Sequence, residues 1–233
     1  MTKSEANVKK SDQTRTRIFE AALALFRKRG FVNTTMREIA KEAGVALGAA
    51  YYYFDSKDAI VMAFYERAQE EITPLIDDAL SKTSGLKERL SAVIKLKFEY
   101  FNPNCSLLGA LSTHIDPQHP LSPFSEATRA IREKDISFFA QSVEGSKVRV
   151  PDDLKPYLPR LLWLYQMGLV LFWVFDRSAK QRRTSQLLEK SLAIIVGLIK
   201  LSAMPLMRPI RKLATDLLDI IYRDDLMAAE VLP

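Results

Sequence analysis

Residues 35–59, TMREIAKEAGVALGAAYYYFDSKDA, read as two short helices joined by a tight turn, followed at once by the start of a third. Thr35-Met-Arg-Glu38 has the spacing of a capping box, in which a threonine hydroxyl and a glutamate carboxylate satisfy free N–H groups at a helix start. Met36, Ile39, Ala40 and Ala43 recur at helical spacing and form its inward side. Gly44 supplies a turn conformation that a residue with a side chain resists, so this helix ends at Ala43. The next helix, Ala46 to Phe54, places Ala50, Tyr53 and Phe54 inward and Leu47, Gly48, Tyr51 and Tyr52 outward. Two phenol hydroxyls with Lys57 just beyond are groups that bond phosphate oxygens and hold a helix in register in a major groove. The expected DNA-facing set is Thr35, Arg37, Ala46, Leu47, Gly48, Ala49, Tyr51, Tyr52 and Lys57. Ser56 or Asp55 is positioned to cap the helix that follows.

Outward from this stretch the chain reads as helices almost throughout, with no alternating strand pattern, so the fold class is all-α. A first helix is expected from about Asp12 to Arg29, stopping at Gly30. A fourth runs from about Lys57 to Leu80, where Pro74 should end it early or kink it. Next come Leu86 to Phe101, a break at Asn102-Pro-Asn104, a short helix around Leu107 to His114, and a proline-rich loop from Asp116 to Pro123. Long helices follow from Phe124 to Val143, Leu161 to Phe175, Leu187 to Ile199 and Leu206 to Tyr222. The apolar run Leu161 to Phe175 falls short of the roughly 20 residues that cross a bilayer and reads as a helix buried on nearly all sides. Residues 1–57 hold 11 Lys/Arg and 6 Asp/Glu, against 23 and 22 in residues 58–233, so the positive charge gathers where the motif lies. A phosphate-binding surface requires that. The organisation expected is a disordered basic tail over 1–11, a helix-turn-helix domain over 12–60 with its motif at about 35–54, and a helical domain over 61–233.

Gly44-Val45, Gly48, Tyr51, Tyr53-Phe54 and Lys57, preceded by Ile18, Ala22, Leu25, Phe26, Gly30, Thr34-Thr35, Ile39 and Ala40, resemble the N-terminal domain of the TetR family of bacterial transcriptional regulators. The resemblance implies a homodimer that binds a palindromic double-stranded operator and is released when a small-molecule effector enters the larger domain. It places Phe98, Phe101, Leu108, Leu111, Phe138, Phe139, Trp163, Gln166, Met167 and Val170 on helices that surround the ligand cavity. Gln166 stands out there, because an amide inside an apolar helix must find a partner. It assigns Leu169, Phe172, Leu188, Leu192, Ile195 and Ile199 to the dimer interface. The sequence departs from the family at Ala46, Leu47 and Ala49, where polar base readers are common; Arg37 is the remaining polar candidate.

A single cysteine, Cys105, excludes an intramolecular disulfide and fits a reducing cytoplasm. The N-terminus has no apolar secretory segment, and neither a membrane partner nor a cofactor is expected. Cys105, His114, Asp116 and His119 leave a metal sensor as one alternative, although their spacing matches no structural zinc site. A helical DNA-binding or interaction protein without an inducer is another. With 8 scattered glycines the chain has no phosphate-cradling loop and no nucleophile elbow, so no enzymatic role is expected.

Overall fold

The computed structural model describes the backbone of residues 3–230 and the side chains of residues 11–222. Ten α-helices make up this fold, with no strand among the described residues: α1 Lys3–Arg29, α2 Met36–Glu42, α3 Leu47–Tyr53, α4 Lys57–Ser81, α5 Leu86–Phe101, α6 Cys105–Leu111, α7 Arg129–Glu144, α8 Leu158–Phe175, α9 Arg182–Ser202 and α10 Arg208–Glu230. They form two compact units: Met1–Glu71 with Tyr100–Arg132, and Ile72–Glu99 with Glu133–Pro233.

The first unit is built on α1, whose Ile18, Ala22, Leu25 and Phe26 are buried against Ile39 and Ala40 of α2, Ala50 of α3 and Ile60, Val61 and Phe64 of α4. Leu107 and Leu111 of α6 and Leu121 of the following loop complete this core. The expected disordered tail is corrected, because α1 begins at Lys3 and residues 3–11 are helical. No glycine or proline interrupts that stretch, and Glu, Ala and Lys are good helix formers. Met1 and Thr2 lie outside the described residues.

Pro74 sits inside α4, which runs on to Ser81 rather than ending early. The helix expected from Phe124 begins instead at Arg129. The hydroxyls of Ser125 and Thr128 both bond the Ser122 carbonyl, at 3.0 and 2.6 Å, and this offers the backbone an alternative to helix.

In the second unit, buried Arg89 of α5 ends two helices with one side chain. Its guanidinium donates to the carbonyls of Leu80 and Thr83 at the end of α4, and to Gln141 and Ser142 at the end of α7, over 2.5–3.1 Å. These are carbonyls that a helix C-terminus leaves without intrahelical donors.

Helix α8 spans 18 residues and, by length and composition alone, is apolar enough to cross a membrane. This corrects the expectation that the run is too short. The expectation of burial on nearly all sides is corrected too: Leu158, Leu162, Leu169 and Trp173 are buried, but Leu164, Leu171, Phe172 and Phe175 are exposed. Periodicity located the apolar helix, but an apolar side chain reads the same whether its own chain covers it or not.

Candidate nucleic-acid interface

The helix-turn-helix is fixed by local chemistry at both ends of α2. The Glu38 N–H donates to Thr35 Oγ1 (3.3 Å), while the Thr35 N–H and hydroxyl both donate to Glu38 Oε2 (2.9 Å each). Arg29 adds a 2.7 Å ion pair to the same carboxylate. The Thr35 backbone hydrogen bond, then its hydroxyl and Arg29, hold the Glu38 carboxyl below its ordinary value. At the other end Gly44 has φ +66°, with its N–H on the Lys41 carbonyl and the Val45 N–H on the Ala40 carbonyl. That paired pattern is a Schellman cap, and its left-handed residue favours glycine. The cap sets where α3 begins.

Ala50 on α3 and Phe54 just after it are buried, and Arg15 of α1 lies 4.9 Å over the Phe54 ring. Tyr53 is half-buried, with its hydroxyl 3.2 Å from Ser11 Oγ. The solvent side carries Ala46, Gly48, Tyr51 and Tyr52, all exposed, with Ala49 intermediate at its edge. Neither the Tyr51 nor the Tyr52 hydroxyl bonds another described residue, so both are available to an external acceptor. Leu47 departs from the outward placement: it is partly buried against the core of the first unit.

Two other members of the expected set have internal duties. The Thr35 hydroxyl is engaged in the capping box. Lys57 donates to the Phe31 carbonyl (2.7 Å) and lies 4.5 Å over the Phe31 ring, tying the start of α4 to the turn before α2. Desolvation there lowers its pKa. Arg37 is exposed and makes no ion pair among the described residues. Ser56, not Asp55, caps α4, accepting the Ala59 N–H at 3.1 Å.

The expected ligand residues divide between the units. Phe101 and Leu111 pack into the core around α1, and Leu108 belongs to the same unit, which corrects their grouping with the others. In the second unit Phe138, Phe139, Trp163 and Gln166 are buried, and Met167 and Val170 are half-buried. Phe98 stacks on Trp173 with centroids 5.1 Å apart. Gln166 Oε1 is buried with no hydrogen-bond donor among the described residues.

Sequence reasoning missed the buried charges here. Lys97 and Asp135 form a 2.5 Å ion pair, and buried Arg160 grips Glu133 at 2.9 and 3.4 Å. Single charges on apolar helices carry no signal of which partner the fold brings. A separate cleft of about 690 Å³ is lined by Lys87, Lys147, Arg149 and Lys200 with Val148 and Val196, and contains none of the expected ligand residues.

The expected dimer residues are also corrected. Leu169, Leu188, Leu192 and Ile199 are buried within their own unit, Ile195 is intermediate, and of the six only Phe172 is exposed. The exposed apolar side lies along Leu164, Leu171, Phe172 and Phe175 of α8 and Leu187, Ile194, Leu198 and Leu201 of α9. A shallow cleft of about 370 Å³ opens between Gly168, Leu171, Phe172, Phe175, Asp176 and Arg183. Asp176 fixes the α8–α9 hairpin by accepting the Ser178 N–H (2.9 Å) and the Thr184 N–H and hydroxyl (2.9 and 2.7 Å). Burial pushes its carboxyl upward, but these bonds outweigh that and hold it well below the carboxylate range.

The His114 and His119 rings stack at 3.9 Å, and His119 Nδ1 accepts the Leu121 N–H. No group of three or more His, Cys, Asp or Glu side chains among the described residues could share an ion, so the alternative of a metal sensor through Cys105, His114 and His119 gains no support.

Residues 18–64 match the family model described as bacterial regulatory proteins, tetR family. Residues 89–217 match the one described as tetracyclin repressor-like, C-terminal domain. The chain is 30% identical over 119 residues to the HTH-type transcriptional regulator BetI of Agrobacterium fabrum, covering 50% of this chain and 55% of that protein. It is 36% identical over 104 residues to the HTH-type transcriptional regulator TtgR of Pseudomonas putida, covering 43% and 45%. The chain thus spans about half the length of the curated relatives it matches. Among solved structures, Thermus thermophilus FadR, a TetR-family repressor in complex with lauroyl-CoA, superposes with TM-score 0.53 at 25% identity, over 75% of this chain and 92% of that one. With one model on the helix-turn-helix and the other on more than half of the chain, the protein belongs to the TetR family of bacterial regulatory proteins.

Proposed function

We propose that the protein is a cytoplasmic transcriptional repressor that binds a palindromic operator as a homodimer and leaves it when a small molecule enters the second unit. One observation carries this reading: the short α3 is locked from behind by Ala50 and Phe54, while Ala46, Gly48, Tyr51 and Tyr52 face solvent with both phenol hydroxyls unengaged. Small residues allow close backbone approach to a groove, and the two hydroxyls bond phosphates on either side of it. Arg37, at the start of α2, is the polar side chain nearest in sequence that is free to reach a base edge.

Homodimerisation is supported by the exposed apolar sides of α8 and α9, which exceed what a monomer leaves in water. Twofold symmetry would then pair two α3 helices on half-sites about one helical turn apart. For the effector, the support is the orphaned Gln166 Oε1 among Trp163, Phe138 and Phe139, an acceptor that a ligand donor would satisfy. The lauroyl-CoA in Thermus thermophilus FadR makes acyl-CoA thioesters the first class to try.

The test is selection from a random duplex library at about 0.15 M salt, where nonspecific phosphate binding is weakened, followed by titration of the selected complex with acyl-CoA thioesters of graded chain length. Enrichment of one palindrome supports the repressor reading. Failure to enrich any sequence would favour a helical DNA-binding protein that does not select sites.

A further inference from the structure

Helix α10 turns an apolar stripe away from the unit that holds it. Leu206, in the turn before the helix, and Ile210, Leu213, Leu217, Ile220 and Ile221 recur at steps of four and three, and each is 58–83% exposed. The opposite side is anchored. Arg211 donates to Asp153 and to the Ser202 carbonyl, both at 2.7 Å, the Tyr157 hydroxyl donates to Asp219, and Leu218 is buried. Anchors at 211 and 219 fix the rotation of the helix, so the stripe faces outward by construction and not through fraying. From Ile210 to Ile221 it runs about 17 Å, long enough for a coiled-coil seam of one and a half heptads.

We infer that this stripe packs antiparallel against α10 of a second copy of the chain. Charge selects the occupant and its direction. Arg208, Arg211 and Lys212 fill the first turns, and Asp216, Asp219, Asp224, Asp225 and Glu230 follow, broken only by Arg223. Antiparallel pairing sets the basic start of one helix beside the acidic remainder of the other, whereas parallel pairing sets like charges together. A twofold contact needs such a self-complementary patch. An anionic lipid surface would need a predominantly basic polar face, and this helix carries more carboxylates than cations. The stripe also continues the exposed apolar side of α9 through Leu198, Leu201 and half-exposed Met204. The inference rests on the homodimer reading for its partner, but adds a surface that the expected α8–α9 contact does not include.

Sedimentation velocity on the full chain tests it with three proteins: the unaltered chain, Leu213→Asp/Leu217→Asp on α10, and Leu171→Asp on α8. The α10 substitutions lie in water, so helical circular dichroism should be unchanged while self-association weakens at least tenfold. In a Cys105→Ser background, co-expressed Ile210→Cys and Ile220→Cys chains should join through a disulfide, and Ile210→Cys alone should not. Association unaffected by the α10 pair, or crosslinking of Ile210→Cys with itself, overturns the inference. If the Leu171→Asp protein alone loses association, only the α10 contact falls. A chain monomeric at every concentration removes the homodimer reading as well.

Discussion

Replacing Lys97 by Met leaves the Asp135 carboxylate without its cation in the interior of the second unit. The two side chains are 6% and 13% exposed and 2.5 Å apart, and the ammonium lies 5.6 Å from the Phe138 ring centroid. Met keeps most of the lysine stem, so packing is nearly preserved and the loss is electrostatic. Breaking a buried pair from one side costs about 3–5 kcal/mol, while replacing both members by apolar groups is close to neutral. With a urea dependence of about 2 kcal/mol per molar for a unit of this size, a loss of about 4 kcal/mol lowers the unfolding midpoint by about 2 M. Both tryptophans, Trp163 and Trp173, lie on α8 in the same unit, so their fluorescence reports its unfolding directly. Lys97→Met/Asp135→Leu should recover at least about 2 kcal/mol of the single-variant loss, since contacting groups couple on that scale. A single-variant cost below about 1 kcal/mol, the range of exposed pairs, would refute the reasoning, as would a double variant no more stable than the single one.

Gly44→Ala should cost about 1–2 kcal/mol in thermal unfolding, because its φ of +66° is unfavourable for a side chain while no atom lies within 4 Å of a new Cβ. Gly48→Ala should do the reverse for stability, adding up to about 1 kcal/mol at an ordinary helical position with open space around it; in a gel-shift titration the same variant should lose operator affinity, and unchanged affinity would remove Gly48 from the interface. Tyr51→Phe and Tyr52→Phe should each weaken binding about fivefold, the equivalent of one hydrogen bond of about 1 kcal/mol, with equal effect on operator and random duplex. The depressed Asp176 carboxyl contributes stability that is present above its ordinary value of 3.8 and is lost as pH falls through the lower folded value. Asp176→Asn should therefore be less stable than the unaltered chain at pH 7, with the gap closing in acid unfolding followed by circular dichroism between pH 5 and 2.

The helix-turn-helix was legible because its determinants are local. A capping box and a left-handed glycine lie within ten residues and need no distant partner, so Thr35, Glu38 and Gly44 could be placed from spacing alone. Leu47 was misplaced because on a seven-residue helix the flank of the inward side and the outer face are one position apart. The long helices were legible as helices, but not in which side their own chain covers: Leu188, Leu192 and Ile199 form the same kind of stripe as Leu187, Ile194 and Leu198, turned by about one residue. Long-range pairs left no trace in the sequence at all. Arg89 is a lone cation whose four carbonyl partners come from the ends of two helices, and Lys97 finds Asp135 only after α5 and α7 have packed.

Pro74 has a mechanical consequence for the helix that contains it. A proline nitrogen carries no hydrogen, so it donates nothing to the Glu70 carbonyl one turn earlier, and its ring crowds that carbonyl. The boundary between the compact units falls between Glu71 and Ile72, inside the same turn. Along the 25 residues of α4 this is the point where the fewest backbone bonds resist bending. The rod is thus notched at the seam, and its stiffness is lowest where a small deflection at one end makes the longest lever arm at the other.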